Sequence, residues 1–164
     1  MIIFWLIGGV VLIFGLVVVR GAPYVPTHKK QLKRLFSELL PLTDKDIVVD
    51  LGAGDGIVLK TANEQGAGVI GYELNPLLVL LMKVRFLHHK NITVKLRDYL
   101  TLDKLPEQVT IVYIFATGRD IEKVHKKMLE WSKYQPLMLV SYGFTIKDKQ
   151  PEKALEPFTL YRYE

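Results

Sequence analysis

The chain has 164 residues, of which 49% are hydrophobic and 24% charged, enough for one packed domain plus a short extra element. Its formal net charge is +5, and much of the excess sits in Lys29, Lys30, Lys33 and Arg34 beside His28. No cysteine is present, which excludes disulfides, thiolate zinc sites and cysteine nucleophiles and fits a reducing compartment.

Residues 2–19 contain no charged side chain and no proline. As a helix the run would be roughly 27 Å long, close to the hydrocarbon thickness of a bilayer. No Lys or Arg precedes it, and its apolar core is long for a secretory signal peptide. Residues 1–20 therefore read as an uncleaved transmembrane anchor, with residues 2–19 in the bilayer and Arg20 closing the span. Positive charge just beyond it places the rest of a single-pass membrane protein on the cytoplasmic side. The Lys29–Arg34 cluster can also meet anionic head groups.

Residues 21–26 form a short connector with Pro23, Tyr24 and Pro26. The domain then runs over residues 27–164. Thr27 is placed to cap a helix reaching about Leu40, with Leu32, Leu35, Phe36, Leu39 and Leu40 on one stripe, and Pro41 ends it. Strands are expected at 47–51, 69–73, 92–96, 109–115 and 137–142. Helices are expected at 56–65, from Pro76 to near His89 with Asn75 as cap, and at 120–131. Residues 158–163 alternate and predict an antiparallel edge strand, the tail leaving room for one clear strand. This alternation predicts an α/β domain: a mainly parallel, Rossmann-like sheet with helices on both faces.

The first strand runs into Asp50-Leu51-Gly52-Ala53-Gly54-Asp55-Gly56. Glycines at alternate positions predict a turn whose backbone lies against a ligand. No GxxxxGK[ST] string exists, and Ile57 stands where a dinucleotide fingerprint needs its last glycine. Asp50 would repel a pyrophosphate on this loop and suits a cationic or zwitterionic ligand. Glu73 ends the second strand, and Asp98 follows the third. Carboxylates at successive strand ends predict a nucleoside crevice. S-adenosylmethionine fits: an amino acid, a sulfonium cation and an adenosine, without phosphate.

With these residues the chain resembles the class I S-adenosylmethionine-dependent methyltransferases. The resemblance implies that Asp50, Gly52, Ala53, Gly54 and Gly56 lie along the amino-acid half of the cofactor. It implies that Glu73 accepts both ribose hydroxyls, that Leu74 and Asn75 flank the adenosine, and that Asp98 binds the adenine amine beside Tyr99. Asp55 reads as a loop or helix-cap acid. A narrower resemblance rests on Pro23-Tyr24-Val25-Pro26-Thr27, the glycine loop, and Gly71-Tyr72-Glu73-Leu74-Asn75-Pro76. These strings are similar to the membrane-anchored lysine methyltransferases that modify the adenine nucleotide translocase and the c-type subunit of ATP synthase, and to their prokaryotic relatives. By that resemblance the segment at residues 24–27 folds over the cofactor and helps form the active site, with Tyr24 and Thr27 as catalytic candidates. Phe115 and Thr117 are further catalytic candidates, in a segment at residues 115–119 expected, with the connector and the bilayer, to set substrate choice.

Absences narrow the acceptor. Phe115-Ala116-Thr117-Gly118 replaces the Asn-Pro-Pro-Tyr motif of adenine-N6 and glutamine-amide methylation, and no paired glutamates of arginine methylation follow the fourth strand. The four histidines show no metal-ligand spacing, so no metal is expected. Basic residues without interleaved aromatics argue against nucleic acid. The reading is a methyltransferase for a lysine on a membrane or membrane-associated protein. Two alternatives stay open: a small-molecule or lipid-related methyltransferase, and a catalytically inactive cofactor-binding module.

Overall fold

The computed structural model describes residues 28–116 and 118–164, together with Met1, Phe4, Trp5 and Gly8. The rest of the expected anchor span, the connector with Tyr24, the Thr27 cap, and Thr117 lie outside the described residues. No helix of the described residues is long and apolar enough to cross a membrane.

Helix α1 (Lys29–Arg34) starts after His28, whose extended backbone makes no side-chain cap, and continues into a π-helical stretch at Leu35–Leu39. The bond from Leu40 N–H to the Leu35 carbonyl, 2.8 Å, spans five residues and marks the wider winding. Leu32, Leu35, Phe36 and Leu39 are buried, as the sequence stripe requires. Strands β1 (Ile47–Leu51) and β2 (Gly68–Glu73) flank α2 (Ile57–Asn63), and α3 (Pro76–Arg85) leads to β3 (Ile92–Leu96). A 3₁₀ turn at Tyr99–Thr101 precedes β4 (Ile111–Ile114). Helix α4 (Gly118–Trp131) precedes β5 (Leu137–Tyr142), and β6 (Lys153–Leu155) and β7 (Phe158–Tyr163) close the chain.

Among the described residues the sheet has the order β3-β2-β1-β4-β5-β7-β6. Strands β1 to β5 pair in parallel, and β7 runs antiparallel to β5. The α/β reading therefore holds, with one correction at the tail. The antiparallel strand at 158–163 is one arm of a hairpin, because β6 pairs along its outer side. Three mostly exposed residues carry too little alternation to declare a strand. Helix α3 also ends earlier than expected. Phe86 leaves helical geometry (φ −103°, ψ 16°) and turns its ring toward Gly56.

Each face of the sheet has its own core. On one, α1, α2 and the inner side of α3 cover Val48, Val69, Ile111, Tyr113 and Val140. On the other, Ile121, Val124, Met128 and Trp131 of α4 cover Val49, Leu51, Val112, Ile114 and Leu139. A central strand apolar on both faces reads as a continuous run, and all four residues of β4 are buried. The strand order turns back between β1 and β4. The crevice of an open α/β sheet lies at the C-terminal ends of the strands at that point.

Candidate functional site

The site is built on the C-terminal ends of β1, β2 and β3. Register sets Asp50 of β1 between Gly71 of β2 and Tyr113 of β4. Gly71 admits close packing: a Cβ there would stand 2.7 Å from Leu59 Cδ1 and 2.9 Å from Ala53 Cβ. Both Gly52 N–H and Ala53 N–H donate to the Tyr72 carbonyl at 2.9 Å, which pins the glycine loop to β2.

Gly52, Gly54 and Gly56 all have positive φ (93°, 55° and 79°), but they serve different ends. Gly52 is exposed, and a Cβ placed on it would meet nothing within 4 Å. Its backbone faces open space, as a ligand cradle must. Gly56 is buried; a Cβ would lie 2.6 Å from Phe86 Cε2 and 3.1 Å from Met82 Sδ. It is the left-handed N-cap of α2 and a packing contact with α3. Gly56 thus has a structural role beside the ligand contact expected of it. Asp55 behaves as a turn acid, its Oδ1 accepting from Ile57 N–H at 3.1 Å.

Asp50 is 3% exposed, and its carboxylate accepts no hydrogen bond among the described residues; since no fully buried side-chain oxygen there lacks a partner, the carboxylate keeps a narrow opening to solvent. Burial, with the carboxylates of Glu73 and Asp55 nearby, pushes its carboxyl well above the usual range. A buried acid lacking a donor and facing two like charges is a site short of a cation.

Glu73 is the brace of the crevice. Its Oε2 accepts from Gly54 N–H at 2.8 Å, and its Oε1 accepts from Leu74 and Asn75 N–H at 2.8 Å each. A carboxylate offers about four lone-pair positions. Three are filled by backbone, which leaves one for a ligand where the sequence reading assigned two ribose hydroxyls. Asn75 is also committed: 1% exposed, its Oδ1 caps α3 by accepting from Leu77 and Leu78 N–H at 2.9 and 3.4 Å. Its carboxamide oxygen is therefore occupied by the helix. Leu74 is half-buried.

Asp98 is half-buried, and its Oδ1 caps the 3₁₀ turn through Leu100 N–H at 2.9 Å. One oxygen is thus a turn former. Tyr99 packs against the α4-face core. Burial, together with Asp120 and Asp98, pushes its phenol up to about 12, so it stays a proton donor at neutral pH.

Phe115, just past β4, stacks on Tyr142 at the end of β5 (centroids 4.4 Å, planes 47° apart). Tyr142 Oη donates to Gln31 Oε1 at 2.9 Å. This bond spans 111 residues and had no signal in the sequence. It holds the start of α1 beside the ends of β4 and β5. Arg85 was likewise missed: its Nη1 donates to the Asp55 carbonyl at 3.0 Å and ties α3 to the glycine loop. No cluster of His, Asp or Glu suited to a metal occurs among the described residues.

No known protein-family profile matches the chain. It is 30% identical over 111 residues to ribosomal RNA small subunit methyltransferase A of Thermotoga petrophila, covering 66% of this chain and 41% of that protein. It is 43% identical over 63 residues to the ATP synthase C-subunit lysine N-methyltransferase of Xenopus laevis, covering 38% of this chain and 27% of that protein. The chain thus spans well under half the length of these curated relatives. Among solved structures, an RNA methyltransferase of Salinibacter ruber in complex with S-adenosyl-L-homocysteine superposes with a TM-score of 0.70. It is 27% identical, covering 85% of this chain and 92% of that one.

Proposed function

From relatives and structural neighbours that are class I S-adenosylmethionine-dependent methyltransferases, we propose that this chain binds S-adenosylmethionine and methylates a lysine of a membrane or membrane-associated protein. The observation that carries the cofactor reading is Asp50, buried and unbonded beside the uncovered backbone of Gly52. The residues fit the group. A ligand bearing a sulfonium and an ammonium brings the positive charge this pocket lacks, whereas a phosphate would meet Asp50, Asp55 and Glu73. The remaining lone pair of Glu73 is placed for one ribose hydroxyl, with Asp98 and Tyr99 at the adenine end.

S-adenosylmethionine supplies a methyl group activated for in-line displacement; the protein must orient the acceptor and leave it a lone pair. A lysine with a free pKa near ~10.4 has to shed its proton first. Phe115 and Tyr142 give the acceptor side apolar walls, which disfavour the ammonium form. The bond from Tyr142 to Gln31 brings the start of α1 there, with Lys29 two residues after Thr27. That supports a connector folded over the site, with Tyr24, Thr27 and Thr117 completing it. The charge-free run at residues 2–19 supports a bilayer anchor with the domain on the cytoplasmic side. If so, an alkaline carbonate wash extracts a chain lacking residues 1–20 and leaves the full chain in the membrane pellet. Equal extraction of both rejects the anchor.

The similarity to a C-subunit lysine methyltransferase and the missing Asn-Pro-Pro-Tyr motif favour lysine. Similarity to RNA methyltransferases over a longer stretch supports a second reading, an RNA base stacked on the Phe115–Tyr142 pair. The deciding experiment incubates the full chain with radiolabelled-methyl cofactor and membrane, soluble and RNA fractions. Label in a membrane protein that resists RNase is the expected result. Label removed by RNase moves the acceptor to RNA, and label extracted with lipid or small molecules rejects both macromolecules. Cofactor binding with no labelled product anywhere rejects the enzyme reading.

A further inference from the structure

Helix α3 is apolar on both sides. Val79, Met82 and Phe86 point into the core, as an amphipathic helix requires. The opposite side carries Leu80, Leu81, Val84 and, just past the helix, Leu87, which are 58%, 64%, 68% and 75% exposed. Spacings of one, three and three residues put these four side chains on one stripe. Leu96, 54% exposed, continues the apolar surface onto the edge strand β3. No described residue covers it.

The charges around this stripe are all of one sign. From Leu74 to Arg97 there are five Lys and Arg residues and no Asp or Glu. Lys83 and Lys90 are exposed beside the stripe, while Lys95 and Arg97 are exposed on the other face of the edge strand, with Lys95 over the Tyr72 ring; none of the four forms an ion pair among the described residues. Elsewhere surface lysines do find carboxylates, as in Lys29–Glu64 and Lys127–Glu130.

We propose that the α3–β3 edge is a membrane-contact surface that lies on an anionic bilayer, with the leucines and Val84 among the acyl chains and the cations at the head groups. Two arguments select this occupant. A two-fold pairing with a second copy would set the cations of one edge against the same cations of the other. A nucleic acid would match the charge but leave four aliphatic side chains in water. An anionic lipid surface matches both, with apolar residues entering by roughly 5–10 Å and each cation favoured near the surface. The inference stands without the anchor over residues 1–20 and without any choice of methyl acceptor.

The absence of cysteine makes the test direct, since one introduced thiol is the only one in the chain. Val84→Cys, and as a control Leu129→Cys on α4, are labelled in the full chain with an environment-sensitive fluorophore. Each protein is reconstituted into phosphatidylcholine vesicles with or without phosphatidylglycerol, some carrying brominated lipid. The label at position 84 should shift to the blue and be quenched by brominated lipid in anionic vesicles only, while the label at 129 does neither. Lys83→Glu with Lys90→Glu should reduce that quenching several-fold while cofactor affinity stays unchanged, which shows an intact fold. An unquenched label at 84 in anionic vesicles overturns the proposal. So does a blue shift that grows with protein concentration in the absence of lipid, which would mark contact between copies of the chain.

Discussion

Replacing Glu73 with alanine should destabilise the domain as well as empty its site. The carboxylate holds Gly54, Leu74 and Asn75 N–H at 2.8 Å each, in a place where Glu73 is 8% exposed. A hydrogen bond to a charged group contributes about 1.5–3 kcal/mol. Three of them sum to roughly 4.5–9 kcal/mol before compensation. Easing the repulsion on Asp50 returns something on the order of 1 kcal/mol, and water entering the vacated space can satisfy part of the stranded donors. The net loss is about 3–6 kcal/mol, against ~5–15 kcal/mol for a typical domain. Glu73→Gln keeps an acceptor on one side and turns an amide N–H₂ toward donors on the other, for a loss of about 2 kcal/mol. Urea unfolding of the full chain in mild detergent, followed by circular dichroism, reads this directly. With a slope near ~2 kcal/mol/M the midpoint should fall by roughly 1.5–3 M for alanine and about 1 M for glutamine. An alanine variant whose midpoint stays within about 0.5 M of wild type would refute the assignment of Glu73 as the brace of the loop.

Asp50→Asn should separate stability from binding. Because the folded protein holds the Asp50 proton more tightly than the unfolded chain, the native state binds more protons between the ordinary carboxylate pKa, about 3.9, and the raised one. The stability this confers is complete below the lower value and lost as pH rises through the upper. The asparagine variant should therefore melt at a higher temperature than wild type at neutral pH, yet bind S-adenosylmethionine at least tenfold more weakly by calorimetry. In the wild type, affinity should rise with pH as Asp50 ionises; a flat profile with a lower-melting variant would contradict the reading. Gly56→Ala should cost about 2–4 kcal/mol, since left-handed strain and overpacking against Phe86 and Met82 act together. Gly52→Ala should cost only about 1–2 kcal/mol of backbone strain but abolish cofactor binding, and equal melting temperatures for the two variants would reject their different roles.

Local signals carried far in this chain. Apolar runs located β1, β2, β4 and β5, the alternating Ile92–Leu96 segment located β3, and Asn75-Pro76 declared the start of α3 through the cap it forms. Asp55 was legible as a turn acid because its partner, Ile57 N–H, is two residues away. Signals faded where structure depends on a distant neighbour. The β6 strand exists because β7 lies beside it, and the π-helical end of α1 carries no local signature.

The site divides in the same way. The order of residues alone marks the polar groups at the ends of apolar strands: Asp50, Glu73 and Asp98, with glycines between the first two. Strand alternation and glycine content are local properties of the chain, so they survive in one dimension. Folding then assigns each group its partners. It left Asp50 buried without a donor, spent three of the lone pairs of Glu73 on backbone, gave Asn75 to a helix cap, and turned Gly56 toward Phe86. Hydrogen-bond partners and burial depend on which segments the sheet brings together, and β1, β2 and α3 meet only once the chain is folded.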